Sequence, residues 1–351
     1  MIVFIQGTFP HYRREVFNEV CKHDKVLLVH SGPPNKKESD KFSECILPMV
    51  KIGPFRIQKG LHGVIKRAKP SIVISMFDIR WLSSIYLMYI SCEKTRWIWW
   101  GLDKGASKIA LKLKLLVAKR NTPIVFYNSH IRQEMVSLGL DAKRCFVANN
   151  TVHVEGMFPC FDNPVKDTFI NVGTLDSRKQ NDVSILVFKR IILRTNLNLR
   201  LVFIGDGIER ERLEELVVNE GLSDNVIFTG HIEGAKELIR YYRRAIASIS
   251  FGQAGLAVLQ SMAFGVPFVT KKNAISGGEK YNIIHGENGL FCKDSLESLE
   301  DVMYDLVRDN NCSYARKLGK NAFNYYKTQA SVENMVNGFL DAQKYLENSN
   351  G

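Results

Sequence analysis

Short apolar, β-branched runs alternate with longer amphipathic stretches along this chain, and that alternation restricts it to folds built on parallel sheets. Ile2–Gln6, Lys25–His30, Ile72–Ser75 and Thr122–Tyr127 read as strands in the first half. The rhythm restarts after Asn163-Pro164, with Thr168–Gly173, Leu199–Ile204, Asn225–Phe228, Ala247–Ser250 and Pro267–Thr270 as the strands of a second sheet. At 351 residues the chain exceeds the roughly 100–200 residues usual for one domain, so two lobes with separate cores are expected. The expected division is a lobe over residues 1–163, a second over 164–330, and a C-terminal segment 331–351 holding a final helix from about Ser331 to Leu346. A linker near residues 155–166 separates the lobes. Ser31–Ser43 is rich in loop-forming residues, and Gly32-Pro33-Pro34-Asn35-Lys36-Lys37 within it is expected to be mobile.

The net charge of +12 is unevenly spread. Residues 1–165 hold 25 Lys/Arg against 13 Asp/Glu, whereas residues 166–351 hold 23 of each, so all the excess lies in the first lobe. A one-sided field of this kind attracts an anionic partner such as a membrane surface or a lipid-linked phosphate. Nucleic acid is a third candidate on charge alone, but no nucleic-acid-binding module is recognisable, and none is expected as a partner. Lys104 to Arg120 carries six cations and no acid, with Lys104, Lys108 and Lys112 on one helical face. These three and Lys114 are the residues expected to lie on an anionic membrane, an ordinary solvated helix being the alternative. Trp81 to Cys92 is apolar but shorter than the ~20 residues a spanning helix needs. Met1 leads directly into Ile-Val-Phe-Ile without the basic region and cleavage site of a secretory signal, so the expected location is cytoplasmic, or peripheral on the inner face of the plasma membrane. The seven cysteines are odd in number and form no C-x-x-C pair, which argues against a disulfide framework and against structural zinc.

Three stretches carry candidate chemistry. Phe169-Ile-Asn-Val-Gly173-Thr174-Leu175, followed by Asp176-Ser-Arg178-Lys179, reads as a strand entering a tight glycine turn with a basic pair behind it. A diphosphate leaving group needs its developing charge stabilised, and a fixed cation beside exposed backbone N–H groups supplies that; a solvated loop with surface cations is the competing reading. Leu201-Val-Phe-Ile-Gly205-Asp206-Gly207 is a buried strand ending in a glycine turn, followed by a charged helix over Ile208–Glu220. It lacks the full G-x-G-x-x-G spacing and the later acidic residue, which disfavours a dehydrogenase. In the third, a strand enters Phe251-Gly252-Gln253-Ala254-Gly255-Leu256, a one-sided apolar helix follows, and Gly265-Val-Pro267 stops it. That loop would present a helix N-terminus to an anion, although packing needs alone would also explain its glycines.

In order, these stretches resemble the family-4 retaining glycosyltransferases of the GT-B fold, together with Asn225-Val-Ile-Phe-Thr-Gly230-His231 and Gly286-Glu-Asn-Gly289-Leu. The resemblance spans residues 168–295 and extends more loosely over the first lobe, where Gly7-Thr-Phe-Pro-His11-Tyr-Arg13-Arg14, Phe126-Tyr-Asn-Ser129, Gly139 and Asn149-Asn150-Thr151 match. It implies two Rossmann-like parallel-sheet lobes facing a central cleft, with the terminal helix packing back toward the first lobe. It also implies sugar transfer, with retention, from a nucleotide diphosphate to a hydroxyl of a glycan or lipid-linked acceptor, in bacterial surface polysaccharide or lipopolysaccharide assembly, with no metal or other cofactor. Lys179 and Arg178 would then stabilise the leaving diphosphate. Gly173, Thr174, Gly205, Asp206, Gly207, His231, Ile232, Gly252, Gln253, Ala254, Gly255, Leu256 and Gln260 would hold the donor. Gly7, Thr8, His11, Arg13, Arg14 and Asp103 would lie on the acceptor side.

The sequence departs from the family pattern at informative places. The family's two glutamates, eight residues apart around the glycine-rich loop, fall on Gly252 and Gln260. The Gln260 carbonyl can still accept hydrogen bonds from ribose, but Gly252 removes a group that normally contacts the transferred sugar. The arginine that commonly follows the strand glycine falls on Thr174, with Arg178 nearby as a substitute. Trp99-Trp100-Gly101-Leu102-Asp103 lacks the histidine of relatives with a Trp-Gly-His sequence. Two alternatives therefore stay open: a nucleotide-sugar-binding relative without turnover, and a nucleotide-sugar epimerase, which would need acid and base groups across the sugar.

Overall fold

The computed structural model describes residues 1–90, 95–101, 107–118, 122–232 and 234–348. They form two compact units, Met1–His153 with the C-terminal segment from Ser331, and Val154–Ala330.

In the first unit, seven strands among the described residues make one parallel sheet: β1 (Ile2–Ile5), β2 (Val26–His30), β3 (Ser43–Ile46), β6 (Ile72–Met76), β7 (Arg96–Trp100), β8 (Ile124–Phe126) and β9 (Cys145–Val147). An antiparallel hairpin, β4 (Met49–Ile52) and β5 (Phe55–Gln58), stands apart from it. The sheet order β3-β2-β1-β6-β7-β8-β9 places the reversal of winding between β1 and β6. Crevices outside the carboxyl ends of strands open at such a point, because the connections leave in opposite directions. Both faces are covered, as a parallel sheet requires. Phe4, Phe17, Ile98 and Trp100 are buried on one side with the final helix, Val332–Asn348, and Val3, Val73 and Trp97 on the other. Phe339 of that helix meets Phe4 and Trp100 edge-on at 5.6 and 5.0 Å, and its Gly338 lets the backbone close on β9, since a Cβ there would lie 2.1 Å from the Val147 oxygen.

The second unit carries a six-stranded parallel sheet in the order β12-β11-β10-β13-β14-β15. Its strands are β10 (Thr168–Val172), β11 (Arg200–Ile204), β12 (Val226–Phe228), β13 (Ala245–Ile249), β14 (Phe268–Lys271) and β15 (Gly289–Cys292). Here the winding reverses between β10 and β13. Phe169, Phe188, Leu201, Phe203, Ile249 and Leu299 belong to a continuous apolar core that includes the helices Asn181–Thr195 and Leu296–Val307.

Two expectations need correction. The Ser31–Ser43 loop is tied down rather than loose: the buried Arg14 guanidinium pairs with Asp40 and bonds Asn35, Asn35 Nδ2 donates to the Phe9 carbonyl, and the Lys37 N–H donates to Asp40. The basic helix spans Lys108–Ala118, and Lys104, Lys119 and Arg120 lie outside the described residues. Within it Lys114 is only 8% exposed, close enough to influence the Asp78 carboxylate, and so is not part of a membrane-facing surface. The exposed side consists of Lys108 and Lys112 together with Ile109, Leu113 and Leu116.

Candidate functional site

At the carboxyl end of β10 the chain turns at Gly173, whose φ of +127° favours glycine. A Cβ there would also lie 2.8 Å from the Lys179 ammonium, which folds back beneath the turn. The return is made by a single 3-10 turn, Ser177–Lys179, capped by Asp176 accepting from the Arg178 N–H at 3.0 Å. Lys179 is 9% exposed, and its Nζ donates to the Val172 carbonyl at 3.2 Å. No carboxylate pairs with it among the described residues. Burial holds the ammonium below the ordinary lysine range, with Asp176 opposing and Arg178 adding to the shift. A buried cation with one neutral partner is unfavourable by itself and becomes favourable when an anion arrives. Arg178 is in a different state: 62% exposed, with its guanidinium taken up by Asp176 at 2.6 Å.

Across the switch point, at the end of β13, lies Phe251–Leu256. The Gly252 N–H donates to the Lys179 carbonyl at 2.9 Å, so this loop is bonded directly to the lysine turn. A Cβ on Gly252 would stand 2.1 Å from the Arg178 carbonyl oxygen, which leaves no room for any side chain. The missing glutamate is thus a consequence of two backbones in contact. Gly255 is the opposite case: its φ is not positive and a Cβ would meet nothing within 4 Å, so packing gives no reason for glycine there. An approaching ligand would. Gln253, Ala254 and Leu256 complete the loop, and Ala254 N–H donates to the Ile275 carbonyl at 2.8 Å. The helix that follows, Ala257–Ala263, is short and carries Gln260 half-buried, with no hydrogen-bond partner for its side-chain amide among the described residues.

The β11 turn supports this site more than it contributes to it. A Cβ on Gly205 or Gly207 would stand 2.2 Å from the carbonyl oxygens of Gly173 and Leu175, so these glycines let two turns touch. Asp206 accepts from the Gly207 N–H at 2.8 Å and pairs with Arg210 at 3.2 Å. Thr174 is exposed beside them. His231 and Ile232 line a separate hollow of about 450 Å³ with Ile227, Thr229, Glu237 and Tyr241.

Two further residues belong to the neighbourhood although nothing in the sequence singles them out. Lys271, at the end of β14, is buried, bonds Gln180 Oε1 and Asp294 Oδ1 at 2.8 Å each, and lies 4.9 Å from the Phe251 ring centre. It ties the residue after Lys179 to the loop side of the site. Glu279 is a buried carboxylate accepting from Ser276 Oγ at 3.1 Å, one residue beyond the Ile275 that pairs with Gly252 and Ala254.

The first unit has its own pocket, about 640 Å³, at its switch point. Gln6, Gly7 and Thr8 after β1, Met76 at the end of β6, Asp78 just beyond it, and Trp81 line it, with Lys51 and Arg56 from the β4–β5 hairpin. Arg13 lines it too, held by Gln6 Oε1 at 2.8 Å, the Tyr127 hydroxyl at 2.9 Å and the Trp100 ring at 4.4 Å. Of the residues expected on the acceptor side, Gly7, Thr8 and Arg13 therefore come together. His11 is exposed away from the lining, Arg14 is committed to Asp40, and Asp103 lies outside the described residues.

Residues 162–325 match the family described as glycosyl transferases group 1. N-acetyl-alpha-D-glucosaminyl L-malate synthase of Bacillus anthracis is 25% identical over 48% of this chain and 43% of its own length. The N-acetylgalactosamine-N,N'-diacetylbacillosaminyl-diphospho-undecaprenol 4-alpha-N-acetylgalactosaminyltransferase of Campylobacter jejuni is 24% identical over 67% of this chain and 62% of its own. The match thus spans about half the length of these curated relatives. Anabaena HepE, solved in complex with UDP, is 13% identical and superposes over 98% of this chain and 99% of its own with a TM-score of 0.74, a likeness of fold. With two parallel-sheet units in that arrangement of strands and the family match over most of the second, the chain has the GT-B fold and is related to the glycosyl transferases of group 1.

Proposed function

We propose that this chain is a glycosyltransferase that uses a nucleotide-diphosphate sugar and retains configuration at the transferred carbon. The observation that carries the proposal is the Lys179 ammonium, buried at a switch point with no carboxylate partner among the described residues. The donor's diphosphate would lie against Lys179 and the open mouth at Gly255, its ribose within reach of Gln260 and its base near His231 and Ile232. Gly252 admits no carboxylate that would act as a nucleophile from that position. The acceptor hydroxyl therefore attacks on the face the diphosphate leaves. The bond from the sugar carbon to the phosphate oxygen breaks, the new bond to the acceptor oxygen forms on the same side, and a phosphate oxygen takes the acceptor proton. Lys179 stabilises the charge that develops on the leaving group. Arg178 would assist only after exchanging Asp176 for phosphate.

The acceptor would be a glycan or lipid-linked glycan of a surface polysaccharide or lipopolysaccharide type, in keeping with the diphospho-undecaprenol substrate named for the Campylobacter relative. A panel of nucleotide sugars tested for thermal stabilisation identifies the donor, because a ligand bound only by the folded state raises stability with concentration. Transfer with that donor to a lipid-linked oligosaccharide, with an unchanged anomeric configuration by NMR, is the expected result. An inverted product would rule out same-face attack, and stabilisation without transfer would favour a binding protein.

Two smaller effects follow. Gln260→Leu is expected to weaken donor binding by about two- to tenfold, the net worth of a hydrogen bond or two, in a calorimetric titration; equal affinity would remove Gln260 from the ribose site. No helix among the described residues is long and apolar enough to cross a membrane, so contact with a lipid-borne acceptor would be peripheral. The exposed Lys108, Ile109, Lys112, Leu113 and Leu116 offer an amphipathic surface for it. Lys108→Glu with Lys112→Glu should reduce sedimentation with anionic liposomes, each cation contributing ~1 kcal/mol, and added salt should do the same. Unchanged sedimentation would make this an ordinary solvated helix.

A further inference from the structure

In the β4–β5 hairpin Lys51 stands directly opposite Arg56. Such pairs have Cβ atoms about 4.5–5.5 Å apart on the same face, and like charges there are destabilising. Both side chains line the 640 Å³ pocket of the first unit. Asp78, the one carboxylate among the described lining residues, does not relieve them, because it is engaged by Arg80 through Nε at 2.9 Å and through the terminal nitrogen at 2.5 Å. The remaining polar lining sets the donors of Arg13, Arg80, Trp81 and Gln6 beside hydroxyl groups that donate or accept. Trp81 is 4% exposed and Gln6 3%, and Trp81 Nε1 and Gln6 Nε2 are buried with no hydrogen-bond partner, as is Arg13 Nε. The Gln6 amide orientation is set by Arg13, which donates to its oxygen and leaves the NH₂ unpaired. Arg56 lies 5.6 Å from the Trp81 ring centre.

Two facing cations at an open pocket call for a ligand with acceptor oxygens and negative charge, and the unpaired N–H dipoles enclosed in the wall behind them favour the same charge. We infer that this pocket binds a phosphate or diphosphate group carried by the acceptor, bridged between Lys51 and Arg56, so that the hairpin selects phosphorylated acceptors over neutral glycans. The inference rests on reading this pocket as the acceptor side of the proposed transferase. The anion turns the repulsive pair into two charge-assisted contacts.

Inorganic pyrophosphate is the probe, titrated calorimetrically into the full chain at constant ionic strength. Wild type should show two sites, one at the hairpin and one at Lys179. The conservative pair Lys51→Gln, at an exposed position, with Arg56→Gln, at a half-buried one, should retain one site and bind the other at least tenfold more weakly. Its melting temperature in anion-free buffer should equal or exceed that of wild type, and pyrophosphate should raise it less. Lys179→Met should lose the other site alone. Wild-type stoichiometry and affinity in the double variant would overturn the inference while leaving the donor proposal intact. Loss of a hairpin site with none lost in Lys179→Met would support the inference and remove the donor proposal. Competition by a short-chain alkyl diphosphate or by a sugar 1-phosphate distinguishes a lipid carrier from a soluble phosphorylated sugar, and displacement by neither would overturn the assignment to an acceptor.

Discussion

Lys179→Met is expected to reduce turnover by about 10²–10³-fold, the cost of removing one aligned charge-stabilising group, or about 2.7–4 kcal/mol in the barrier. Nucleoside monophosphate affinity should change little, because the contacts proposed for base and ribose, at His231, Ile232 and Gln260, lie elsewhere. Methionine preserves most of the volume packed beneath the Gly173 turn, so loss of activity would not reflect a collapsed site. The ligand-free variant should also be at least as stable as wild type. The folded-state pKa of Lys179 is depressed by burial, so the folded chain holds that proton less tightly than the unfolded chain does. Its destabilising effect is therefore present in full below the folded pKa and fades as pH rises toward the ordinary lysine value. The variant's advantage should accordingly be largest near neutral pH and shrink in alkaline buffer. Melting curves across pH check this, and a variant clearly less stable at neutral pH would show that the lysine serves the fold.

Gly252→Glu should not restore the family's carboxylate. It should damage the second unit. With a Cβ 2.1 Å from the Arg178 carbonyl, either the Gly252 loop or the lysine turn must move, and the Gly252 N–H bond to the Lys179 carbonyl would break. Overpacking of this kind costs about 1–3 kcal/mol, and each kcal/mol lowers the melting temperature of a unit this size by roughly 2–4 °C. Donor binding should fall as well, because the displaced turn carries Lys179. Gly252→Ala should show most of the same loss, since the Cβ itself is the obstacle. Gly255→Ala is the control: its Cβ enters open space, so the melting temperature should stay within about a degree, as for substitutions away from packed features, while the donor KM rises. Equal thermal behaviour of the Gly252 and Gly255 variants would contradict this division of roles.

The central strands of both units are legible because a parallel strand covered on both faces must be a continuous apolar run, as in Phe169-Ile-Asn-Val and Leu201-Val-Phe-Ile. β7 is harder to see, since Arg-Trp-Ile-Trp-Trp offers one β-branched residue and its burial comes from packing of Trp99 with Phe77, Ala118 and Met135 and of Trp100 on Phe339 of the final helix. β9 is three residues long, and the β4–β5 hairpin turns through Gly53-Pro54 inside an otherwise loop-like stretch. In the candidate site, spacing brings out the glycines but does not separate their causes. Gly205, Gly207 and Gly252 are each required by a close backbone neighbour and Gly173 by its positive φ, and only the three-dimensional contacts set Gly255 apart. Lys114 and Arg14 show the same limit for charge: the one reads as a membrane-surface cation and the other as an acceptor-side one until their burial is known.

The most direct measurement is a calorimetric comparison of nucleoside diphosphates with the matching monophosphates, in wild type and in Lys179→Met, over the common bases. A buried ammonium awaiting a diphosphate predicts that one base series binds, with the diphosphate about 10–100-fold tighter than the monophosphate, as a charge-assisted contact worth ~1.5–3 kcal/mol requires. That preference should collapse in Lys179→Met. Equal affinity for mono- and diphosphate in wild type, or a preference that survives the substitution, would contradict the placement of the donor diphosphate at Lys179.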